Sequence, residues 1–369
     1  MKISFNNFSK LYGTEKIAID RAIKKVLSSG RYILGDEVAD FEKDFAAYIG
    51  VSQCVGVANG LEALQIALMA AGIGPGDEVI TTAHSAAATA LSIRAVGAKP
   101  VFIDIDDYYH LDAAKIESAI TSKTRAIIPV HLYGQACDMN TIMDVAKKHN
   151  LVVIEDCAQA HGALWNGRKV GSFGTAGCFS FYPTKNLGAV GDAGAIVTHD
   201  SAFAEKCRMM RNYGQRNRYE HDVYGINSRL DEIQAAVLRV LLKKLDRNNK
   251  RRLTIAMQYL KGLKDIGDIQ LPRLRMQADH VFHLFVIETG RRDDLMAHLK
   301  EAGIDSLIHY PIPIHKQRSL AEFNSLSLPV LELKVTRILS LPVHPYLTTT
   351  EVKKVIAAIK KFYESPLNP

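Results

Sequence analysis

The sequence predicts an α/β protein built on a mostly parallel sheet, followed by a smaller C-terminal α/β unit. Three observations carry this. Short runs that are apolar on successive residues recur through the first two thirds of the chain, helical periods with recognisable caps lie between them, and the pattern changes scale after Leu230. A strand covered by helices on both sides is apolar at every position rather than at alternate ones. Alternation of such strands with helices is the signature of an α/β domain.

The first helix is expected over residues 36–50. Asp36 can cap it, Val38, Phe41, Phe45 and Tyr48 form one apolar face, and Gly50 stops it. A second, over 61–71, has Leu61, Leu64, Leu68 and Ala71 on one side, Asn59 as its cap and Gly72 as its stop. Buried strands are expected at 78–82, 101–105, 126–131, 151–156, 178–182 and 195–198. Ile233, Val237, Leu241 and Leu245 open a long helical period that runs with rising charge to about Lys264 and leads out of the large domain. Beyond it come a strand at 281–288, a helix at 293–302 and a last helix near 350–363. In that last helix Val352, Val355, Ile356, Ile359 and Phe362 share a face. The expected division is a large ligand-binding domain over 10–245 and a small domain over 246–369, with segment 1–9 packing nearby. The tail 365–369 is expected to fray.

A chain of 369 residues is long enough for about two compact domains. Lys+Arg 46 against Asp+Glu 39 leaves +7, spread along the chain, with its densest run at Lys250-Arg251-Arg252. With no basic stripe and no recognised motif, nucleic acid is not the expected partner. A composition 47% hydrophobic and 23% charged argues against disorder. No apolar run approaches the ~20 residues that span a bilayer. The start, residues 1–7, lacks the apolar core of a signal peptide, so a cytoplasmic location away from membranes is expected. Cys54, Cys137, Cys157, Cys178 and Cys207 are odd in number, widely spaced and form no C-x-x-C. Reduced, buried thiols are expected rather than a disulfide framework or a zinc ribbon. Cys157 with His161 is one candidate metal pair, but two further ligands are missing nearby, so no metal is expected.

The chemistry gathers at strand ends, where open α/β sheets place their ligands. Asp156 ends a buried strand. Such a carboxylate serves as a metal ligand, an acid–base group, the counter-ion of a heterocyclic cation, or merely a helix cap. Lys185 follows an apolar strand and precedes the glycines at 188, 191 and 194. Partial burial depresses a lysine's pKa and frees a neutral amine for imine formation, although most loop lysines are simply solvated. Gly60 and Leu61 follow Asn59 at a helix start, where free N–H groups at the positive end of the dipole suit a phosphate as well as an ordinary cap. Together these three places meet the needs of pyridoxal 5′-phosphate: an amine for the aldehyde, an acid for the ring nitrogen, and fixed donors for the phosphate.

Longer segments then carry a family resemblance. They are Gly30-Arg31-Tyr32-Ile33-Leu34-Gly35, Pro129-Val130-His131-Leu132-Tyr133-Gly134-Gln135, Glu155-Asp156-Cys157-Ala158-Gln159-Ala160-His161-Gly162 and Ser180-Phe181-Tyr182-Pro183-Thr184-Lys185-Asn186-Leu187-Gly188. Further on come the segment from Gly225 to Ala236, His309-Tyr310-Pro311, and Leu341-Pro342-Val343-His344-Pro345-Tyr346. Over nearly its whole length the chain resembles the DegT/DnrJ/EryC1/StrS sugar aminotransferases, which have fold type I of the pyridoxal phosphate enzymes (aspartate aminotransferase-like). The resemblance implies that Lys185 forms the internal aldimine and shuttles the proton, and that Asp156 pairs with the pyridine nitrogen. It places Gln159 near the cofactor's hydroxyl, and the Gly60 and Leu61 amides with the Ser180 hydroxyl on the phosphate. It implies further that Asn227 reaches the phosphate of a neighbouring subunit, making the active unit a homodimer with shared sites. Tyr32, Arg229, His309 and Tyr310 fall where members bind the nucleotide-linked sugar. The implied reaction moves an amino group from L-glutamate, through pyridoxamine phosphate, to a nucleotide-linked keto-deoxysugar. The segment Val57-Ala58-Asn59-Gly60-Leu61 favours C3-acting members slightly over C4-acting ones.

One stretch departs from the family. Where many relatives have Pro-x-x-Thr-aromatic, with the ring over the cofactor, this chain has Ala86 at the aromatic position of residues 81–89. Either His84 covers the cofactor's ring or that face is open. Two rivals remain from the sequence: a sugar dehydratase of the same family, in which a His replaces the lysine kept here, and a non-catalytic sugar-binding regulator. A dinucleotide enzyme is disfavoured because Gly72-Ile73-Gly74-Pro75-Gly76 follows a helix, whereas the fingerprint follows a strand.

Overall fold

The structure is a computed structural model that describes residues 2–364, so the tail 365–369 lies outside the described residues. Two helices lead in, α1 (Phe8–Ser29) and α2 (Asp36–Ile49). Seven strands follow: β1 (Gln53–Val57), β2 (Glu78–Thr82), β3 (Lys99–Ile103), β4 (Thr124–Ile127), β5 (Val152–Asp156), β6 (Ala176–Ser180) and β7 (Gly194–Thr198). They form one sheet in the order β1-β7-β6-β5-β4-β2-β3. The strands from β3 to β6 pair in parallel, while β7 runs antiparallel to both of its neighbours. The sheet is thus mostly parallel, as its unbroken apolar runs require. Helices α3 (Gly60–Ala70), α4 (Ala88–Ala95), α5 (Met139–His149) and α6 (Ser201–Met210) connect or follow the strands.

Each face of the sheet has its own core. Phe41 and Phe45 of α2 meet Phe179 and Phe181 on one side, with edge-on rings 5.0–5.4 Å apart. On the other side Leu64, Ile66 and Leu68 of α3 pack on Val79 and Ile154. Alternation along β5 sends Val153 to the first core and Ile154 to the second. Glu155 and Asp156 therefore leave the end of the strand on opposite faces.

Beyond the sheet, α7 (Glu232–Leu242) and α8 (Leu245–Gly262) occupy the long helical period, which breaks at Lys243 and Lys244 instead of running through. A third core gathers Tyr259 of α8, Phe285 of β8 (Phe285–Glu288), Leu339 and Leu341 of β9 (Ile338–Leu341) and Leu299 of α9 (Arg292–Glu301). A six-residue helix α10 (Pro329–Lys334) precedes β9, which pairs antiparallel with β8. The last helix, α11 (Thr349–Glu364), buries Val352, Val355, Ile359 and Phe362 of its expected face and leaves Ile356 half-buried. Ile3 bridges to Ile304 and joins this core, so the chain's start packs against its C-terminal part.

Three expectations are corrected. Asp36 does not cap α2: it is the first helical residue, and its carboxylate pairs with Arg31. The cap comes from Glu232, whose carboxylate accepts the N–H groups of Gly35, Glu37 and Val38 at 2.8–3.0 Å. The runs at 101–105 and 126–131 outlast their strands, because Ile105 and Val130 turn away into isolated bridges with Leu111 and Asp156. Finally, α1 and β1 were not anticipated. The first has a weak apolar face that buries only Ile19 and Val26, and the second is a short run holding Gly56.

Candidate active site

Three elements converge on one cavity at the strand ends. From α3 come Gly60, Leu61 and Leu64; from the end of β5, Asp156, Ala158 and Gln159; from β6 and the turn after it, Ser180 and Lys185. Six of the residues singled out in the sequence are thereby brought together.

The start of α3 is a donor site. Asn59 accepts the Glu62 N–H on its side chain at 2.9 Å and the Ala63 N–H on its carbonyl at 3.0 Å, confirming it as the cap. The first two amides, of Gly60 and Leu61, have no acceptor within the helix. Glycine is required at 60 by close approach, since a Cβ there would stand 2.6 Å from Ser180 Cβ. The contact holds the Ser180 hydroxyl beside those amides.

Asp156 is 5% exposed and burial raises its pKa. It accepts only two hydrogen bonds, from Ala158 N–H at 3.1 Å and from the Thr89 hydroxyl at 2.8 Å. Thr89 in turn contacts the Ser85 hydroxyl at 2.8 Å. An ionised carboxylate has about four acceptor sites, so Asp156 faces the cavity with capacity left for a further donor. Lys185 is half-buried, its amine opening on the cavity. Burial lowers its pKa to about 8, with Asp156 opposing that shift. Gln159 is pinned at both ends, accepting the Tyr133 N–H at 2.8 Å and donating to the Tyr310 hydroxyl at 3.0 Å.

His309 lines a different cavity, with Thr184 and Arg252, its Nδ1 2.9 Å from the Ser340 hydroxyl, and burial lowers its pKa to about 4. Tyr310 reaches the site through Gln159, and burial raises its phenol to about 12. Tyr32, Arg229 and Asn227 lie elsewhere in the chain. Tyr32 is 49% exposed, Asn227 is exposed on a bridge with Asn212, and Arg229 donates to Asn212 over the Tyr213 ring.

His84 is corrected. It is 1% exposed, its Nε2 lies 2.7 Å from the Tyr133 hydroxyl, and its ring meets Tyr133 edge-on at 5.7 Å. That polar tether draws the imidazole into the aromatic core, and the cavity wall is left to Ser85, Ala86 and Ala88. Cys157 and His161 do not pair either: His161 packs on Phe179 and Phe181. Cys157 lies instead with His131 and Glu155, their ligand-type atoms within 4.8 Å. Those groups are committed to the fold, because Glu155 accepts three backbone N–H groups as well as meeting His131. Thr89 and Ser85 escaped the sequence reading because only folding brings them to Asp156, 67 residues from Thr89.

The donor set fits one kind of group. Unpaired helix-start amides with a hydroxyl suit a phosphate, a carboxylate with open acceptor sites suits a protonated ring nitrogen, and a depressed lysine suits an aldehyde. An open α/β sheet carrying these at its strand ends defines a pyridoxal phosphate enzyme of fold type I. The chain belongs to the DegT/DnrJ/EryC1/StrS aminotransferase family, whose model matches residues 14–360. It is 46% identical over 366 residues to a dTDP-3-amino-3,4,6-trideoxy-alpha-D-glucose transaminase of Streptomyces venezuelae, covering 98% of this chain and 97% of that one. To a dTDP-3-amino-3,6-dideoxy-alpha-D-galactopyranose transaminase of Aneurinibacillus thermoaerophilus it is 50% identical over 345 residues, covering 93% and 95%. Among solved structures it superposes with a TM-score of 0.97 on S. venezuelae DesV in complex with a ketimine intermediate, at 46% identity and 99% coverage of both chains. The protein is a sugar aminotransferase with pyridoxal 5′-phosphate as cofactor. Among the described residues no helix is long and apolar enough to cross a membrane.

Proposed function

We propose that the protein transfers an amino group from L-glutamate to the 3-keto position of a nucleotide-linked deoxysugar, with Lys185 and Asp156 as its catalytic residues. The observation that carries this is the single cavity shared by Lys185, Asp156 and the start of α3. C3 is preferred over C4 because both curated relatives described above are named for 3-amino sugars.

When bound, pyridoxal phosphate supplies an electron sink for the substrate carbon that bears nitrogen. Asp156 holds the proton on the ring nitrogen, and Thr89 holds Asp156 in place. The amides of Gly60 and Leu61 and the hydroxyl of Ser180 would bind the phosphate, and Gln159 would face the ring hydroxyl. Lys185 anchors the aldehyde carbon. Freed when the donor's amine takes its place, the Lys185 amine, whose pKa is lowered to about 8, would take a proton from the donor's α-carbon and deliver one to the sugar carbon that receives nitrogen. Such proton transfer contributes about 10²–10⁴-fold.

The active unit in this reading is a homodimer. Asn227, Tyr32 and Arg229 do not line this chain's cavity and in this reading serve the partner's site, Asn227 at the phosphate and the other two beside the sugar nucleotide, with His309 and Tyr310. Exposed Ile17 (77%) and Tyr224 (81%) supply apolar surface for a second copy to cover. Residues 10–245 form the cofactor domain and 246–369 the small one. Five free, buried thiols support a reducing, cytoplasmic setting.

The test is a panel of 3-keto and 4-keto sugars on different nucleotides, incubated with L-glutamate and read by product mass. The expected result is amination at C3 by the wild type and none by Lys185→Ala, which stays folded. Amination of no sugar in the panel, or turnover retained by Lys185→Ala, would overturn the reading.

A further inference from the structure

Arg252 of α8 is 6% exposed and has no carboxylate partner among the described residues. Arg211, which is 8% exposed, shows what a buried arginine ordinarily does: it pairs with Glu42 and also donates to the Gly56 carbonyl. The Nη1 of Arg252 donates to the carbonyls of Phe282 and His283, both at 3.3 Å, and its Nε and Nη2 have no acceptor among the described residues. Burial lowers its pKa to about 10, which leaves it charged at neutral pH. A buried cation with an unused planar edge calls for an anion.

The surroundings define that anion. Two cavities meet at Arg252, Thr184 and His344; the first also holds Lys185, the second His283 and His309. Neither wall carries an aspartate or a glutamate. Burial keeps the three histidines neutral, so once Lys185 is tied up with the cofactor Arg252 is the positive charge left in this space. His344 is 5% exposed and its Nδ1 has no partner, a second polar group left waiting on the same wall. A transaminase must bring the amine-bearing carbon of its donor to the lysine. An α-amino acid carries a carboxylate one bond from that carbon.

We propose that Arg252 seats a carboxylate of the amino-acid donor through its free Nε–Nη2 edge, in the cavity it shares with Lys185. A planar carboxylate matches that edge by two parallel hydrogen bonds. This rests on the aminotransfer reading and names where its donor binds.

The test is equilibrium binding of glutarate, an unreactive dicarboxylate, to the cofactor-loaded enzyme by calorimetry, with thymidine diphosphate as the control ligand. Arg252→Gln should bind glutarate at least about 30-fold more weakly, the loss expected of a charged hydrogen-bond partner. Arg252→Lys should fall between, and nucleotide affinity should be unchanged. Because Arg252 also braces two carbonyls, His344→Phe provides a second variant, which fills the cavity at the cost of one hydrogen bond between His344 and the Ser4 backbone and leaves the Arg252 braces in place, and it too should weaken glutarate. In the loaded enzyme, conversion by L-glutamate should slow in Arg252→Gln while the return step from a keto-sugar keeps its rate. Unchanged glutarate binding in Arg252→Gln and His344→Phe would overturn the proposal, as would a loss confined to thymidine diphosphate. Glutarate binding needs no sugar, so a failed sugar panel leaves this result readable.

Discussion

Glu155 and Asp156 are consecutive residues at the end of β5, both acidic and both buried, yet the fold treats them in opposite ways. Glu155 points to the face of the α2 core and is saturated. One oxygen accepts the N–H groups of Phe173 and Gly174 at 2.8 and 2.9 Å, the other that of Gly171 at 2.7 Å and the His131 ring at 3.1 Å. Asp156 points to the face of α3 and receives two donors, with the rest of its capacity open to the cavity. The first carboxylate ties a loop to the sheet. The second is held short of satisfaction, which is unfavourable in the ligand-free fold and useful once a protonated ring is bound.

The comparison breaks most sharply under isosteric substitution. Glu155→Gln turns amide hydrogens toward backbone donors, and each unsatisfied buried donor costs about 1–3 kcal/mol, so a loss of about 4 kcal/mol is expected. That is a large part of a marginal stability. Asp156→Asn should do the reverse. Burial raises the folded pKa of Asp156 above its ordinary 3.8, so the folded protein binds the proton more tightly than the unfolded chain. Its burial penalty is absent below the unfolded value and grows as pH rises through the folded one. Cofactor-free Asp156→Asn should therefore melt above the wild type at pH 7, and the gap should close near pH 3, while its turnover falls by about 10³-fold. Melting curves at the two pH values, with steady-state rates, check both halves. A stable Glu155→Gln, or an Asp156→Asn that melts below the wild type at pH 7, would erase the distinction.

A smaller effect sharpens it. Thr89 donates to Asp156 and lowers its pKa against burial. Thr89→Val should move the acid limb of the pH–rate profile upward by about one unit, or ~1.4 kcal/mol, with little change in the KM for the sugar. A purely structural role for Thr89 would lower the rate equally at every pH. Smallest in energy is the titration of Lys185 in the cofactor-free protein. Its pKa of about 8 means that labelling by an amine-reactive reagent should be half-maximal there, whereas ordinary lysines follow the value 10.5. Peptide mass mapping across pH 6–11 reads both curves, and coincident curves would place Lys185 in ordinary solvent.

What the sequence revealed follows from the range of the interactions involved. The Asn59 cap reaches only to residues 62 and 63, and β2 and β5 each carry a local apolar run (Val79-Ile80 and Val152-Val153-Ile154), so these were legible. Asp156 and Lys185 stand out in the sequence because one closes an apolar strand and the other lies in the turn after one, and the fold brings them to one cavity. The cap of α2 was not, since Glu232 lies 194–197 positions from the amides it accepts while Asp36 stood at the right place by local rules. His84 failed for the same reason: its partner Tyr133 is 49 residues away and reaches it only after β2 and β4 have paired. Arg252 read as one residue of a charged run, and only the fold shows that it is buried while its neighbour Arg251 donates to the Leu347 carbonyl at the surface of α8.

The most direct test is to reduce the cofactor-loaded protein with borohydride and map where the cofactor's mass is fixed. If the amine that opens on the Asp156 cavity is the anchor, a single modified peptide containing Lys185 results, and the Asp156→Asn protein is labelled at the same residue. Attachment at another lysine, or no covalent label in a protein that has bound the cofactor, would contradict it.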